Sequence, residues 1–163
     1  MNLSPIIENT PKLPYLLSIP LKLVPSSIHS RLLVSFLNLL LNEQIEDGEL
    51  DFLESKHLCI KVSDINIMYF ISLKNRKLIA NNTNSNIDIE LRASVYDYLQ
   101  LAARKQDPDT LVFQRKLVMQ GNTELGLELK NFLDSLDFES NKDFVKFERL
   151  LINSLPIYKR LFS

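Results

Sequence analysis

The sequence contains little of the material from which catalytic, metal-binding and phosphate-binding sites are usually built. Its 163 residues include one cysteine, two histidines, three glycines and no tryptophan. Because Cys59 has no partner for an intrachain disulfide or a CxxC pair, the chain is typical of a reducing compartment. We therefore expect a cytoplasmic protein that holds neither a metal ion nor an organic cofactor.

An excess of charge of either sign is also missing. The 19 basic and 20 acidic residues give a net charge of −1, whereas a nucleic-acid-binding domain usually has an isoelectric point above about 9. Hydrophobic residues make up 45% of the chain and charged residues 24%, which are ordinary values for a folded domain. We expect one main globular domain and no nucleic-acid partner.

Residues 1–25 differ in composition from the rest of the chain. Five of the seven prolines lie there and divide the apolar residues into short pieces. This pattern fits neither a signal peptide, which needs an unbroken apolar run, nor a membrane-spanning helix of about 20 apolar residues. Two interpretations of this N-terminal arm stay open: it packs on its own domain, or it inserts shallowly into a membrane surface. The residues expected to dock on a membrane are Leu13, Tyr15, Leu16, Leu17 and Leu21.

Periodicity divides the rest of the chain into helices and strands. Apolar residues at helical spacing predict helices over residues 26–42, 95–102 and 123–136. A last amphipathic segment over residues 144–155 should end at Pro156. Alternation and short apolar runs predict an antiparallel meander of strands over residues 49–54, 57–62, 67–73, 78–80 and 87–91, and a further strand over 111–119. The order indicates an α+β fold with helices on one face of the sheet.

Candidate catalytic groups are few. His57 and Cys59 fall on the same face of a predicted strand, but a Cys-His pair needs supporting geometry that this pattern does not supply. Residues 121–126 have the outer glycine spacing of a phosphate loop, yet Leu127 and Glu128 follow where lysine and serine or threonine are required. We therefore expect no catalytic residue and no enzymatic activity.

The remaining charged groups of interest have structural explanations. Arg115 shares a predicted strand face with Phe113 and Leu117, so a partly buried guanidinium would pair with a carboxylate or meet an anionic head group. A cluster of acidic residues is expected to be a solvated helix end, namely Asp134, Asp137 and Glu139.

Apolar surface is in surplus. The predicted helices, the apolar strand over residues 67–73 and the N-terminal arm supply more of it than one modest sheet needs to cover. An enclosed apolar cavity of roughly 300–1,000 Å³ would use this surplus. A tightly packed core would use the same residues, and periodicity leaves both interpretations open.

Several segments together resemble one known family. They are Gly48-Glu-Leu-Asp-Phe-Leu-Glu54 with the strand pair after it, Asp107-Pro-Asp-Thr-Leu-Val-Phe-Gln-Arg-Lys-Leu117, and Gly121-Asn-Thr-Glu-Leu-Gly-Leu-Glu128. With the apolar arm ahead of a leucine-rich helix, they resemble the UbiT family, bacterial proteins with a sterol carrier protein type-2 domain. Two positions depart from the family pattern: Asn122 replaces the usual aspartate, and His57 stands where tryptophan is expected.

The resemblance implies a five-stranded, mainly antiparallel sheet whose helices enclose an apolar tunnel for a long-chain lipid. The chain would then consist of the arm (1–25), the lipid-binding domain (26–138) and a C-terminal amphipathic segment (139–163). The implied function is that of a non-catalytic accessory factor in oxygen-independent ubiquinone biosynthesis, associated peripherally with a membrane. It would present polyprenylated quinone intermediates to hydroxylases and methyltransferases. The alternative is a general phospholipid or fatty-acyl binding and transfer protein.

The cavity is expected between the sheet and the helix over residues 123–136, since the most specific part of the resemblance leads directly into that helix. The residues expected to line it are Leu33, Phe36, Leu40, Tyr69, Leu99, Phe113, Leu117, Leu125, Leu129, Phe132 and Leu133.

Overall fold

The structure is a computed structural model that describes residues 23–81, 86–136 and 142–162, together with residues 11, 12, 14 and 19. Its helices are α1 (Ser26–Leu40), α2 (Asn42–Glu46), α3 (Val95–Ala102), α4 (Pro108–Phe113), α5 (Thr123–Ser135) and α6 (Lys142–Phe162), with a 3-10 helix at Asp51–Leu53. Its strands are β1 (Leu58–Val62), β2 (Ile67–Leu73), β3 (Leu78–Ala80), β4 (Ile89–Ala93) and β5 (Val118–Gly121). This mixture confirms the predicted α+β class.

The five described strands form one sheet in the order β3-β2-β1-β4-β5. Neighbouring strands are antiparallel except for β1 and β4, which run parallel with Leu58 opposite Ile89. The mainly antiparallel five-stranded sheet is thus confirmed, but the prediction of a purely antiparallel meander is wrong at β4. The chain leaves β3 at one edge and crosses to the far side of β1, so β4 enters the sheet in the direction of β1.

Alternation places most buried apolar residues of the strands on one face of the sheet, whereas Cys59 and Phe70 pair with each other and are buried on the other face. Leu58, Ile71 and Ile89 occupy paired positions on the first face and belong to the main core. The same core contains buried side chains of α1 and α5, whereas Lys61 and Glu90 occupy alternate positions in the strands. Helices α1 and α5 therefore cover the same face of the sheet, as predicted.

Residues 49–54 do not form the predicted strand. Leu50 and Leu53, three residues apart, are both buried in the main core, and Asp51–Leu53 is a 3-10 helix. A spacing of three residues matches one 3-10 turn. The turn is entered at Gly48, whose φ of +80° is readily available only to glycine.

Residues 111–119 form a helix and a strand rather than one strand. Asp107 caps α4, because its carboxylate accepts hydrogen bonds from Thr110 N at 2.8 Å and Thr110 Oγ1 at 2.6 Å. Pro108 at the first helical position also favours the helix start. The backbone then turns at Arg115, where φ is +58°. Arg115 is exposed in this turn, so the prediction of a partly buried guanidinium on a strand is wrong.

Helix α6 continues to Phe162 and does not end at Pro156 as predicted. A proline inside a helix removes one hydrogen bond and costs about 3 kcal/mol. Beyond the proline, the ring of Tyr158 stacks on Tyr96 of α3 at a centroid distance of 5.7 Å and contacts Phe162 at 4.7 Å. Such aromatic pairs contribute about 0.5–1.5 kcal/mol each beyond the burial of their area, and they hold the last turns in place.

The side chain of Asn38 ties α1 to the edge of the sheet. Its Nδ2 donates a hydrogen bond to Leu78 O at 2.8 Å, and Leu78 N donates to its Oδ1 at 2.8 Å. Without such a partner, the edge strand would offer these backbone groups to water or to another chain. The amide therefore completes the pairing of β3 and fixes the position of α1.

Replacing Asn38 with alanine removes both hydrogen bonds from the Leu78 backbone. We expect the free energy of unfolding, measured by urea denaturation, to fall by about 1–3 kcal/mol. Asn42→Ala is the matched control, since its amide bonds Glu46 on the exposed surface, and should change stability by less than about 0.5 kcal/mol. Equal losses in the two variants would show that the edge contact contributes nothing specific.

Candidate functional site

Helix α5 begins at a fixed point of the sheet. Asn122 caps the helix, because its Oδ1 accepts a hydrogen bond from Leu125 N at 3.1 Å. Asn122 N donates to Asp88 O at 2.9 Å. The preceding Gly121 has a φ of +124°, and a Cβ atom there would lie 2.4 Å from Asp88 O, so the close approach requires glycine. Gly121, the first glycine of the phosphate-loop spacing, therefore serves to direct α5 over the sheet.

The buried side of α5 is apolar and faces the strands. Leu125, Leu129 and Phe132 are buried at the spacing of one helical stripe, and they belong to the same core as Ile89 and Leu91 of β4. Seven of the eleven residues predicted to line a cavity meet in this apolar cluster, namely Leu33, Leu40, Leu117, Leu125, Leu129, Phe132 and Leu133.

The other four predicted lining residues lie elsewhere. Tyr69 packs against a separate cluster at the end of β1, and Leu99 packs between α3 and α6. Phe36 is partly exposed, and its ring lies 5.0 Å from that of Phe147 on α6. Phe113 is 89% exposed, so its assignment to the lining is wrong. The assignment depended on the predicted strand, whereas the observed helix α4 directs this side chain to solvent.

Sequence reasoning missed two aromatic residues at the apolar cluster. The ring of Phe52 lies 6.3 Å from that of Phe132, and Phe147 packs against the cluster from α6. Phe52 was missed because its segment was assigned to a strand. The helical spacing of Phe147, Leu151 and Leu155 was the signal that could have placed α6 against the domain.

Two polar side chains of α3 have a raised pKa because they are buried. The hydroxyl of Tyr98 lies 2.8 Å from Leu91 O and 3.1 Å from Lys61 O, and burial raises its pKa above the ordinary value of 10.0. Burial also raises the pKa of the Asp97 carboxyl, although the Ser94 hydroxyl donates to it at 2.6 Å. Burial therefore favours the uncharged form of both side chains.

His57 and Cys59 are engaged separately. The backbone N of His57 donates to Asp88 Oδ2 at 2.7 Å, and its Nδ1 lies 3.3 Å from the same oxygen. Cys59 is fully buried, and this burial, with a smaller effect of Glu90, raises the pKa of its thiol from 9.0 to about 11. A thiol nucleophile needs a lowered pKa and access to substrate, and Cys59 has neither.

The remaining sequence candidates add no site. Within residues 23–81, 86–136 and 142–162, no group of three His, Cys, Asp or Glu side chains could hold a metal ion. Asp134 is exposed, as expected of a solvated helix end. The other acidic candidates and the five proposed membrane-docking residues lie outside the described residues, namely Asp137, Glu139, Leu13, Tyr15, Leu16, Leu17 and Leu21.

The thiol of Cys59 should be unreactive in the folded protein. With a pKa of about 11 in place of 9.0, the thiolate fraction at pH 8 falls about 100-fold, and burial excludes the reagent as well. We expect iodoacetamide to modify the native protein at least that much more slowly than the urea-unfolded protein, as followed by mass spectrometry. Rapid modification of the native protein would restore the case for a Cys-His pair.

Comparison with known proteins is consistent with this geometry. Residues 36–134 match the SCP-2 sterol transfer family, a segment that begins within α1, includes the five described strands and ends within α5. Over 126 residues the chain is 45% identical to the ubiquinone biosynthesis accessory factor UbiT of Escherichia coli strain K12. This alignment covers 77% of this chain and 72% of that protein. The UbiT of Escherichia coli O157:H7 matches to the same extent.

A solved structure supports the fold assignment. The chain is similar to the structure described as UbiJ-SCP2 ubiquinone synthesis protein, with a TM-score of 0.55 and 17% sequence identity, over 66% of this chain and 95% of that one. At this identity the likeness shows the fold alone. The 45% identity over most of the chain shows that this protein belongs to the UbiT family, and residues 36–134 form an SCP-2 domain.

Proposed function

We propose that this protein is a non-catalytic lipid-binding accessory factor in oxygen-independent ubiquinone biosynthesis. In this proposal, the polyprenyl chain of quinone intermediates occupies an apolar tunnel between α5 and the sheet. The observation that carries the proposal is the convergence of apolar side chains from α1, α5 and the segment before β5 on one cluster. Membership of a family whose curated relative is named a ubiquinone biosynthesis accessory factor supports the choice of pathway.

The chemistry of the cluster suits an isoprenoid chain. Each buried CH2 group of a ligand contributes about 0.8 kcal/mol, and Leu125, Leu129 and Phe132 offer hydrocarbon contact along one side of α5. An isoprenoid chain has no polar atoms to satisfy, so it needs no hydrogen-bonding groups from the wall. Recognition by length and apolar area, rather than by polar contacts, is the expected mode of binding.

The polar groups favour a carrier over a catalyst. His57 is held by Asp88, and the buried thiol of Cys59 stays protonated at neutral pH because its pKa is raised. Chemical steps on the quinone ring would then belong to other proteins. We propose hydroxylases and methyltransferases of the same pathway as the partners that receive the bound intermediate.

Lipid entry requires contact with a membrane, and we propose that the N-terminal arm supplies it. In this proposal the arm (1–25) is distinct from the lipid-binding domain (26–138) and from the C-terminal segment (139–163). The apolar residues from Leu13 to Leu21 insert shallowly, and Lys12 and Lys22 lie near lipid phosphates. The prolines keep the arm from forming a long helix.

The lipid that co-purifies with the full chain tests the proposed function. Extraction with organic solvent and mass spectrometry should identify a prenylated quinone intermediate, provided that the protein is purified from cells making ubiquinone. Diacyl lipids or fatty acids alone would favour the alternative, a general phospholipid or fatty-acyl transfer protein. The absence of any co-purifying lipid would contradict both functions.

The same measurement on Leu129→Arg locates the lipid. An unpaired charge among hydrocarbon costs several kcal/mol, so this variant should lose bound lipid. Leu127→Arg is the control, because Leu127 lies on the same helix and is 57% exposed; it should retain the lipid. Thermal unfolding followed by circular dichroism reports whether each variant is folded. Unchanged lipid content in a folded Leu129→Arg protein would show that α5 does not line the proposed tunnel.

Deletion of residues 1–25 separates the two interpretations of the arm. If the arm docks on membranes, the deletion should weaken co-sedimentation with anionic vesicles by about tenfold or more, since each inserted leucine contributes about 1.5–3 kcal/mol. The melting temperature should stay the same. Undiminished vesicle binding would contradict docking by the arm, and loss of the cooperative melting transition would show that the arm packs on the domain instead.

A further inference from the structure

Helix α6 has two apolar faces, and one of them is exposed. Leu151 and Leu155 are buried in the cluster that joins α6 to α3. Leu150, Ile157 and Leu161 are 65%, 60% and 66% exposed. At 100° per residue, spacings of seven and eleven place these three side chains within about 20° of one line along the helix. We call this line of residues the outer stripe.

The exposed charged side chains over residues 146–162 of the same helix are basic. Between residues 146 and 162 the sequence has four basic residues and one acidic residue, Glu148. The four basic side chains are exposed, namely Lys146, Arg149, Lys159 and Arg160. Because the whole chain carries a net charge of −1, this concentration of positive charge on one helix is a local feature.

The helix has the dimensions of an element that lies on a bilayer. Its 21 residues span about 31 Å at 1.5 Å per residue, but its charged residues are spread along that length. None of the helices in the described part of the chain is long and apolar enough to cross a membrane. An amphipathic helix with leucine and isoleucine on one side and lysine and arginine beside them is typical of insertion into the plane of a lipid surface.

A second exposed apolar stripe lies on the neighbouring helix. Ile28, Leu32 and Leu39 of α1 are exposed at positions that share one side of that helix, and α1 contains Arg31 but no acidic residue. The two helices meet where the rings of Phe36 and Phe147 approach to 5.0 Å. Two helices that contact each other therefore both carry exposed apolar residues, in addition to the apolar residues of the N-terminal arm.

We propose that the outer stripe of α6 is a docking surface for an anionic lipid bilayer. The proposal rests on the proposed lipid-carrier function, to which it adds a membrane contact that is independent of the N-terminal arm. Leu150, Ile157 and Leu161 insert at the level of the acyl chains, while Arg149 and Arg160 contact lipid phosphates. A second copy is the less suitable occupant, because a two-fold interface on this stripe would bring the same basic residues of both copies together.

The test uses the full chain and vesicles of two compositions, phosphatidylcholine alone and phosphatidylcholine with phosphatidylglycerol. Wild-type protein should co-sediment with the anionic vesicles and lose binding at high salt. The double variant Ile157→Asp, Leu161→Asp should bind at least about tenfold more weakly. Phe113→Asp is the matched control: Phe113 is the most exposed apolar side chain on a different helix, and its replacement should change binding less than about twofold.

A second double variant tests the proposal independently in case the aspartate variant does not fold. Arg149→Glu, Arg160→Glu leaves the apolar residues in place, and it should also weaken binding to anionic vesicles and reduce the salt dependence. Wild-type protein that stays in the supernatant would overturn the proposal. So would folded variants of both kinds that bind as the wild type does. A fall in molecular mass on gel filtration of the aspartate variant, without a change in vesicle binding, would identify a second copy as the occupant.

The extracted lipid keeps this proposal separate from the proposed function. Both double variants should retain the lipid of the wild-type protein, since their substitutions lie outside the apolar cluster. Wild-type protein that binds anionic vesicles through α6 but carries no lipid would refute the carrier function and leave the docking surface intact.

Discussion

The apolar face of the sheet must be kept out of water, and the positions of the helices follow from this constraint. Strand alternation places Leu58, Ile71 and Ile89 on that face, and burying each such side chain contributes about 1.5–3 kcal/mol. Polar contacts then decide where the covering helices lie. Asn38 holds α1 beside β3, and Asn122 fixes the start of α5 next to β4. Hydrophobic burial supplies most of the stability, and these few hydrogen bonds supply the orientation.

Several polar groups of the protein are engaged by contacts within the fold. The hydroxyl of Tyr98 and the backbone around His57 are committed to hydrogen bonds within the fold, and the thiol of Cys59 is buried with a raised pKa. These three groups are therefore held by contacts or burial within the described part of the fold. The proposed carrier role is consistent with this feature, whereas membership of the UbiT family is shown by the 45% identity over 126 residues.

Helix α6 lies outside the matched SCP-2 segment, residues 36–134, yet it is packed onto the domain. Its inner side meets α3 through Leu151 and Leu155, and Phe147 reaches the main cluster. The outer stripe and its basic neighbours are thereby presented on a supported helix rather than on a free tail. This division of one helix into a packing side and an exposed side is the physical basis for the proposal of a membrane contact separate from the apolar cluster.

Local periodicity was sufficient for most of the long elements, although not for the C-terminal end of α6. Helices over 26–42, 95–102 and 123–136 and strands over 57–62 and 67–73 were predicted to within two residues of those observed, because each has a repeat that only one kind of element can bury. The same repeats identified six of the residues that form the apolar cluster around Leu129. The seventh, Leu117, came from a segment that was wrongly predicted to be one strand. Residues near the chain's short elements, such as Phe52 and Phe113, were misplaced.

Tertiary structure decided what periodicity leaves undetermined. The parallel pairing of β1 with β4 depends on which side of β1 the returning chain takes. The start of α4 is favoured by a local cap from Asp107, whereas the passage of α6 through Pro156 depends on the stacking of Tyr158 on the distant Tyr96. In a short segment, alternation and helical spacing select the same residues, so distant contacts choose between them. The sequence by itself determines which side of a long element is apolar, whereas the partner of that side is determined by packing between residues far apart in the chain.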